Sequence, residues 1–243
     1  MMAAAITGGE IELVGAPYDM VAAAAQALEG AGSERIIIIG VPRLHGATHS
    51  VIPDRIETGT YMMAAAITGG AIELTGASYD TVAAAAQAME GTGVAVERLP
   101  GSIKVSRHAN RLKGIDIATA PFPGFPTDLQ AQFMALMATA DGDSIITETI
   151  FENRFMHVPE LNRMGADITV QGASASIRGV ARLTGAPVMA TDLRASVSLV
   201  LAGLAAEGET VVSRVYHLDR GYERLEAKLA ACGAAIERLA GES

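Results

Sequence analysis

The chain has 243 residues, half of them apolar, only 4% aromatic and none tryptophan. That length supports one large core or two small ones, assembled here from Ala, Ile, Leu, Val and Met. A formal net charge of −9 and a pI near 5.0 argue against nucleic acid or an anionic membrane as partner. They leave room for a local arginine cluster that would hold a phosphate-bearing substrate.

The opening run Met1-Met2-Ala3-Ala4-Ala5-Ile6 is apolar but lacks a basic start and soon meets Gly8, Gly9 and Glu10, so it does not read as a signal peptide. A strand is predicted at Glu10–Leu13 and another at Ile36–Gly40. His45 and His49 have the spacing of two ligands on one helix face. Pro42 and Gly46 make that stretch a loop, however, and no third ligand follows, so no metal site is expected. A helix is predicted over Pro53–Ile67, entered at Pro-Asp and stopped at Thr68-Gly69-Gly70. Strand Ala71–Leu74 follows, then helix Tyr79–Glu90, whose Val82, Ala85, Ala86 and Met89 fall at helical spacing. Further strands are predicted at Ile103–Ser106, Asp143–Thr147 and Glu209–Val212. The longest apolar run, Ala195 to Ala206, is bracketed by Arg194 and Glu207 and is too short to span a membrane. Cys232, the single cysteine, rules out an intramolecular disulfide and fits a reducing, cytoplasmic setting. Small-residue packing between Ala231 and Gly233 accounts for it.

The chain repeats itself. Residues 1–32 and 62–93 are identical at all but six positions. Weaker copies follow, in which Gly9, Gly70, Gly142 and Gly208 each precede a strand and Gly32, Gly93, Gly165 and Gly233 each close a helix and open another extended segment. Glu34-Arg35-Ile36, Glu97-Arg98-Leu99 and Glu237-Arg238-Leu239 recur after three of those closing glycines. The near-identity of the first two copies marks a recent duplication, whether natural, engineered or introduced when the sequence was assembled. Units of this size cannot bury an apolar face alone and must stack. Together they predict an α/β domain over residues 1–243, in units of approximately 1–52, 53–124, 125–189 and 190–243. Helices apolar all round belong inside, with the sheets outside.

Five words carry more than fold. They are Pro53-Asp54-Arg55-Ile56-Glu57-Thr58-Gly59-Thr60, Phe125-Pro126-Thr127-Asp128-Leu129-Gln130-Ala131-Gln132-Phe133, Glu148-Thr149-Ile150-Phe151-Glu152-Asn153-Arg154-Phe155, Ala190-Thr191-Asp192-Leu193-Arg194-Ala195-Ser196 and Asp219-Arg220-Gly221-Tyr222-Glu223-Arg224. In this order they resemble the C-terminal half of the UDP-N-acetylglucosamine enolpyruvyl transferases, over roughly residues 34–243. The resemblance implies an inside-out α/β barrel and the transfer of an enolpyruvyl group from phosphoenolpyruvate to the 3′-hydroxyl of UDP-N-acetylglucosamine, for peptidoglycan synthesis. It implies no cofactor and no metal. Its implied partners are those two substrates and, in trans, an N-terminal domain whose Lys-Asn word and loop acid have no match here. A weakly active or inactive form is therefore expected. A non-catalytic repeat domain or nucleotide-sugar scaffold is the other reading. The sister enzyme acting on shikimate phosphate fits the words ENRFMHVPEL and DRGYERLE less well.

Residue by residue, Asp128 matches the family's proposed general base; read locally, it is an N-cap aspartate. Ile150 matches a nucleotide-sugar contact; read locally, it is a strand end packed into a core. Arg194 and Arg220 match arginines that hold phosphoenolpyruvate, which suits a planar fork that grips carboxylate or phosphate. Asp192 matches an aspartate beside the reacting centre. Taken alone, such Asp-x-Arg words read as local ion pairs tying helix starts together, Asp192 with Arg194 or Asp219 with Arg224. Asp54, beside Arg55, matches a hinge-side aspartate or is a helix N-cap. His157 reads as a satisfied structural residue. No glycine-rich phosphate loop, Walker motif or GxSxG word is present.

Overall fold

The structure is a computed structural model describing residues 10–14, 35–39 and 51–239. The expected helix before Gly32 and the His45/His49 loop lie outside the described residues, as do Gly9 and Gly40. Two compact units are present, one of residues 1–53 and 121–123, the other of residues 54–120 and 124–243. In the first, β1 (Glu10–Val14) pairs antiparallel with β2 (Arg35–Ile39), Glu10 opposite Ile39 and Val14 opposite Arg35.

The second unit opens with α1 (Arg55–Thr68), β3 (Ala71–Thr75), α2 (Tyr79–Gly91), β4 (Val94–Leu99), β5 (Ser102–Arg107) and the short β6 (Ile117–Ala118). A 3₁₀ turn, Thr127–Leu129, leads into α3 (Gln130–Ala138) and β7 (Asp143–Thr147). Next come α4 (Val158–Arg163), β8 (Asp167–Gln171) and β9 (Ser174–Arg178), then β10 (Leu183–Thr184) and β11 (Pro187–Met189). The last elements are α5 (Ser196–Ala205), β12 (Ala206–Glu207), β13 (Val211–Ser213), a 3₁₀ segment Val215–Arg220 and α6 (Leu225–Ala231). Strand order is β3-β5-β4 in one sheet and β6-β7-β9-β8 in another, with parallel pairs β10-β12 and β11-β13.

Helices α1, α3 and α5 pack on one another inside these sheets, the inside-out α/β arrangement read from the sequence. Every residue of α3 is buried, and α5 is buried from Ser196 to Ala202. A buried aromatic such as Phe133 in such a helix contributes about 3–5 kcal/mol. The outer helix α2 buries one stripe, Val82, Ala85, Ala86 and Met89, as its periodicity requires.

Local sequence explains the ends of α1. The Asp54 carboxylate accepts from the N–H groups of Ile56 (2.7 Å) and Glu57 (3.2 Å), satisfying two orphan donors. At the exit Gly69 adopts φ +74°, and Gly70 N–H returns to the Ala65 carbonyl at 2.9 Å. Within α1, Gly59 admits close packing: a Cβ there would stand 2.4 Å from Leu129 Cδ1.

Two segments differ from their sequence reading. The strand expected at Glu209–Val212 is Val211–Ser213, because Glu209 packs against Gly185 and leaves the ladder: a Cβ on Gly185 would lie 2.3 Å from the Glu209 carbonyl oxygen. Residues 234–239 repeat the β4 word yet form no strand. The β4 strand is held by β5, and no counterpart of β5 pairs with 234–239 among the described residues. Arg238 instead reaches Asp219 and Glu226, so the expected Asp219–Arg224 pair is replaced by Asp219–Arg238.

Candidate functional site

The three internal helices start at one end of the bundle, and an aspartate from the sequence words stands at each start. Asp54 precedes α1, Asp128 lies in the 3₁₀ turn before α3, and Asp192 precedes α5. Helix starts carry partial positive charge and exposed N–H groups. The local N-cap reading holds for Asp54, whereas the local ion pair expected of Asp192 is replaced by backbone contacts. Asp54 caps α1, and Asp192 Oδ1 accepts from the N–H groups of Arg194 (2.8 Å) and Ala195 (2.7 Å). Asp192 thus meets Arg194 through its backbone, not through an ion pair with its guanidinium.

Asp128 does not cap. Its Oδ1 accepts from Arg154 Nη2 at 3.1 Å, and its Oδ2 lies 4.0 Å from Arg194 Nε. Arg194 Nη2 in turn lies 3.8 Å from Asp54 Oδ2. An alternating string results, Asp54, Arg194, Asp128, Arg154, with the Asp128 side chain 35% exposed and that of Arg194 20% exposed. Half-exposed pairs of this kind add about 0–1 kcal/mol each to stability. The string is a poor staple, but it keeps two guanidinia beside one accessible carboxylate.

Arg194 rests on a buried polar patch. Its guanidinium carbon stands 5.8 Å from the centre of the Tyr222 ring, and its Nη1 is buried with no partner among the described residues. Gly221 permits this approach, since a Cβ there would lie 2.4 Å from Leu193 Cδ1 and 3.5 Å from Arg194 Nη1. The Tyr222 hydroxyl hydrogen-bonds Thr60 Oγ1 at 3.0 Å, and burial raises its pKa. Gln132 Nε2 joins the patch to the turn carrying Asp128, donating to Thr60 Oγ1 (3.2 Å) and to the Asp128 carbonyl (2.9 Å).

The loop after β7 closes the site's side. Glu148, 3% exposed, accepts four hydrogen bonds: Thr119 Oγ1 (2.9 Å) and the N–H groups of Ile150 (2.8 Å) and Phe151 (3.2 Å) on Oε1, and Thr127 Oγ1 (2.8 Å) on Oε2. Ile150 is half-buried, with its backbone fixed by this carboxylate. Asn153 sits at φ +57°, a conformation asparagine tolerates better than most residues, just before Arg154. Beneath the loop His157 is fully buried. Its Nε2 faces Met134 Sδ at 3.2 Å and its Nδ1 has no partner among the described residues, so it is not the satisfied residue expected. Burial holds its pKa down at about 4; Asp192 pulls it up slightly and Arg154 pushes it further down.

The geometry therefore gathers Asp54, Asp128, Asp192 and Arg194, with Ile150 alongside through Glu148. Arg220 is exposed and forms no ion pair among the described residues; it stands one residue from the Gly221 contact with Arg194. Sequence reasoning did not single out Glu148, Arg154, Gln132, Tyr222 or Thr60. All five lie inside the quoted words, so the words were the available signal. A cavity of about 280 Å³ lies elsewhere, at the opposite ends of the same helices, lined by Ile67, Arg107, Arg111, Thr139, Arg182 and Ala205 among others. Its Arg107 and Arg111 are engaged by backbone carbonyls, and it holds none of the acids above.

Residues 1–229 match the family profile described as EPSP synthase (3-phosphoshikimate 1-carboxyvinyltransferase). The chain is 60% identical over 248 aligned residues to the UDP-N-acetylglucosamine 1-carboxyvinyltransferase of Rhodospirillum centenum, covering 98% of this chain and 57% of that protein. It is 63% identical over 214 residues to the protein of the same name from Granulibacter bethesdensis, covering 88% and 51%. Among solved structures, the enolpyruvyl transferase NikO from Streptomyces tendae superposes with a TM-score of 0.80 at 29% identity, covering 95% of this chain and 57% of that one. The chain spans about half the length of the curated relatives it matches.

Proposed function

The chain belongs to the EPSP synthase family of carboxyvinyltransferases, and we propose that within it the site serves transfer of an enolpyruvyl group from phosphoenolpyruvate to the 3′-hydroxyl of UDP-N-acetylglucosamine. The names of the relatives favour the nucleotide sugar over 3-phosphoshikimate. The reading rests on one observation: at the starts of three internal helices, the partly exposed carboxylate of Asp128 stands between two guanidinia, those of Arg154 and Arg194.

In this reading Asp128 takes the proton of the sugar hydroxyl as its oxygen adds to C2 of phosphoenolpyruvate, while C3 gains a proton from the loop acid expected of the unmatched part and becomes a methyl group. Arg194, with Arg220 beside it and the helix starts behind it, holds the substrate's carboxylate and phosphate. Asp192 stands beside the reacting centre and orients Arg194 through its backbone. Ile150 and its loop meet the nucleotide sugar, and Asp54 lies at the hinge side. Collapse of the tetrahedral adduct breaks the C2–O bond to phosphate, and loss of a methyl proton restores the double bond. The product would feed peptidoglycan precursor synthesis in the cytoplasm, and residues 1–243 would act as one domain of four repeated units.

Asp128 and Arg194 are open to water on one side, and positioning with water excluded accounts for much of such a rate. The chain alone should therefore turn over poorly. Phosphate release from phosphoenolpyruvate with UDP-N-acetylglucosamine is the test, run on the chain alone and with the unmatched part of a relative added. Release in the mixture should fall about 100-fold or more in Asp128→Ala. Binding of the nucleotide sugar without release would leave a scaffold, the other reading of the sequence. Neither binding nor release would sink the proposal.

A further inference from the structure

We propose that Glu148 is a positioning residue: its buried carboxylate locks the loop carrying Ile150 and Arg154 onto the start of the helix carrying Asp128. The inference rests on the functional reading above, because it assigns how that site is held in shape. A carboxylate buried to 3% exposure persists where hydrogen bonds replace its hydration, and Glu148 has four. Their sources matter more than their number. Two are backbone N–H groups of the loop itself, at Ile150 and Phe151. One is the hydroxyl of Thr127, the residue before Asp128. The last is the hydroxyl of Thr119, just after β6.

Thr119 is itself bound twice to the loop. Thr149 N–H donates to Thr119 Oγ1 at 2.8 Å, and Thr149 Oγ1 donates to the Thr119 carbonyl at 2.5 Å. One carboxylate thus joins three separate segments: residue 119, the turn at 127 and the loop from 148 to 151. The reach of Arg154 to Asp128, at 3.1 Å, closes the ring from the other side of the loop. The Asp128–Arg154 pair is half-exposed and weak in isolation. Glu148 is what presents it ready-made. A plain core residue would not need donors from three segments, and a hydrocarbon of the same size would leave two loop N–H groups and two hydroxyls unmet.

The conservative change separates positioning from bulk. Glu148→Gln keeps the shape and one carbonyl oxygen, which the Ile150 and Phe151 N–H groups can share, while Thr127 can turn its hydroxyl to accept from the amide. Glu148→Ala removes every acceptor. Amide hydrogen exchange read by NMR at Ile150 and Phe151 should quicken about ten-fold or more in Glu148→Ala and return to within a few-fold of the parent in Glu148→Gln. The amides of β7 and β9 should hold their rates in both. In the same samples, calorimetric affinity for UDP-N-acetylglucosamine should fall at least ten-fold in Glu148→Ala and recover in Glu148→Gln.

Should Glu148→Ala not fold, Thr127→Val cuts the link to the Asp128 turn alone. Its affinity should then fall several-fold while the Ile150 and Phe151 amides stay protected. Unchanged exchange at Ile150 and Phe151 in Glu148→Ala would overturn the inference, as would full affinity in Thr127→Val. A parent chain that binds no nucleotide sugar would overturn the functional reading instead, and the exchange rates would still decide the role of Glu148.

Discussion

The two ends of the internal bundle use the same side chain for opposite purposes. Where α1 and α3 finish, Arg107 donates to the carbonyls of Ala66 (2.9 Å), Ile67 (3.3 Å) and Ala109 (2.8 Å), and Arg111 to those of Ala140 and Val180 and to Asp141. Each of their guanidinium nitrogens has a partner, and helix ends rich in unpaired carbonyls are where arginine belongs. Where the helices begin, the dipole already favours anions, and an arginine is out of place by that rule. Arg194 sits there nonetheless, with Nη1 unpartnered among the described residues and two acids at 3.8 and 4.0 Å, too far for close contact. An arginine that finishes a helix is structure. One set among helix starts, loosely paired and half-open, leaves a guanidinium free for the anion that the proposed function calls for.

The starting end also tolerates groups the fold alone would reject, and His157 is the sharpest. It stands at the start of α4, with Met134 of α3 against its Nε2 and Asp192 and Arg154 as its charged neighbours. Its folded pKa of about 4 lies below the usual 6.5, so a proton favours the unfolded chain. The stability it permits is complete above pH 6.5 and drains away as pH falls towards 4, by on the order of 3 kcal/mol. Urea unfolding of the parent and His157→Leu at pH 7, 5.5 and 4 reads this directly. The variant should lose less stability across that window. Equal losses would mean that water reaches the ring, and the contrast between the two ends would weaken.

At the finishing end, Arg107→Ala removes a charged donor from the carbonyls of Ala66, Ile67 and Ala109, of which Ala66 keeps only a long contact from Gly69 N–H at 3.4 Å. It should lower stability by about 2 kcal/mol and leave affinity for the nucleotide sugar alone. Calorimetric melting and titration of one sample check both halves. A loss of affinity there would show that the ends communicate, which nothing in the packing requires.

Much of this was readable from the chain. Glycines that take positive φ, such as Gly69, Gly93 and Gly142, punctuated it correctly, and Asp143–Thr147 was placed to the residue. Asp54 and Asp128 were found because their words were long. Residues 234–239 went wrong because a strand is a property of two segments: the β4 word makes a strand beside β5 and makes none without such a neighbour. Glu148 escaped for a similar reason. An acid amid threonines and isoleucine reads as a strand end until Thr119 and Thr127, 29 and 21 residues earlier, are seen to converge on it. Likewise, nothing local tells that Tyr222 lies beneath Arg194.

The smallest expected effect tests whether distance alone makes an arginine important. Arg182 Nη1 lies 2.7 Å from Glu207 Oε1, a shorter contact than any the Asp128 carboxylate makes. Yet its side chain is 68% exposed, and water replaces whatever the pair supplies. Arg182→Ala should leave the melting temperature unmoved at low and at high salt, although Arg182 lines the same cavity as Arg107. A measurable drop at low salt that vanishes at high salt would show the pair to be part of a larger field at that end. The arginines there would then have to be judged together, and the division between engaged and available guanidinia would rest on Arg194 alone.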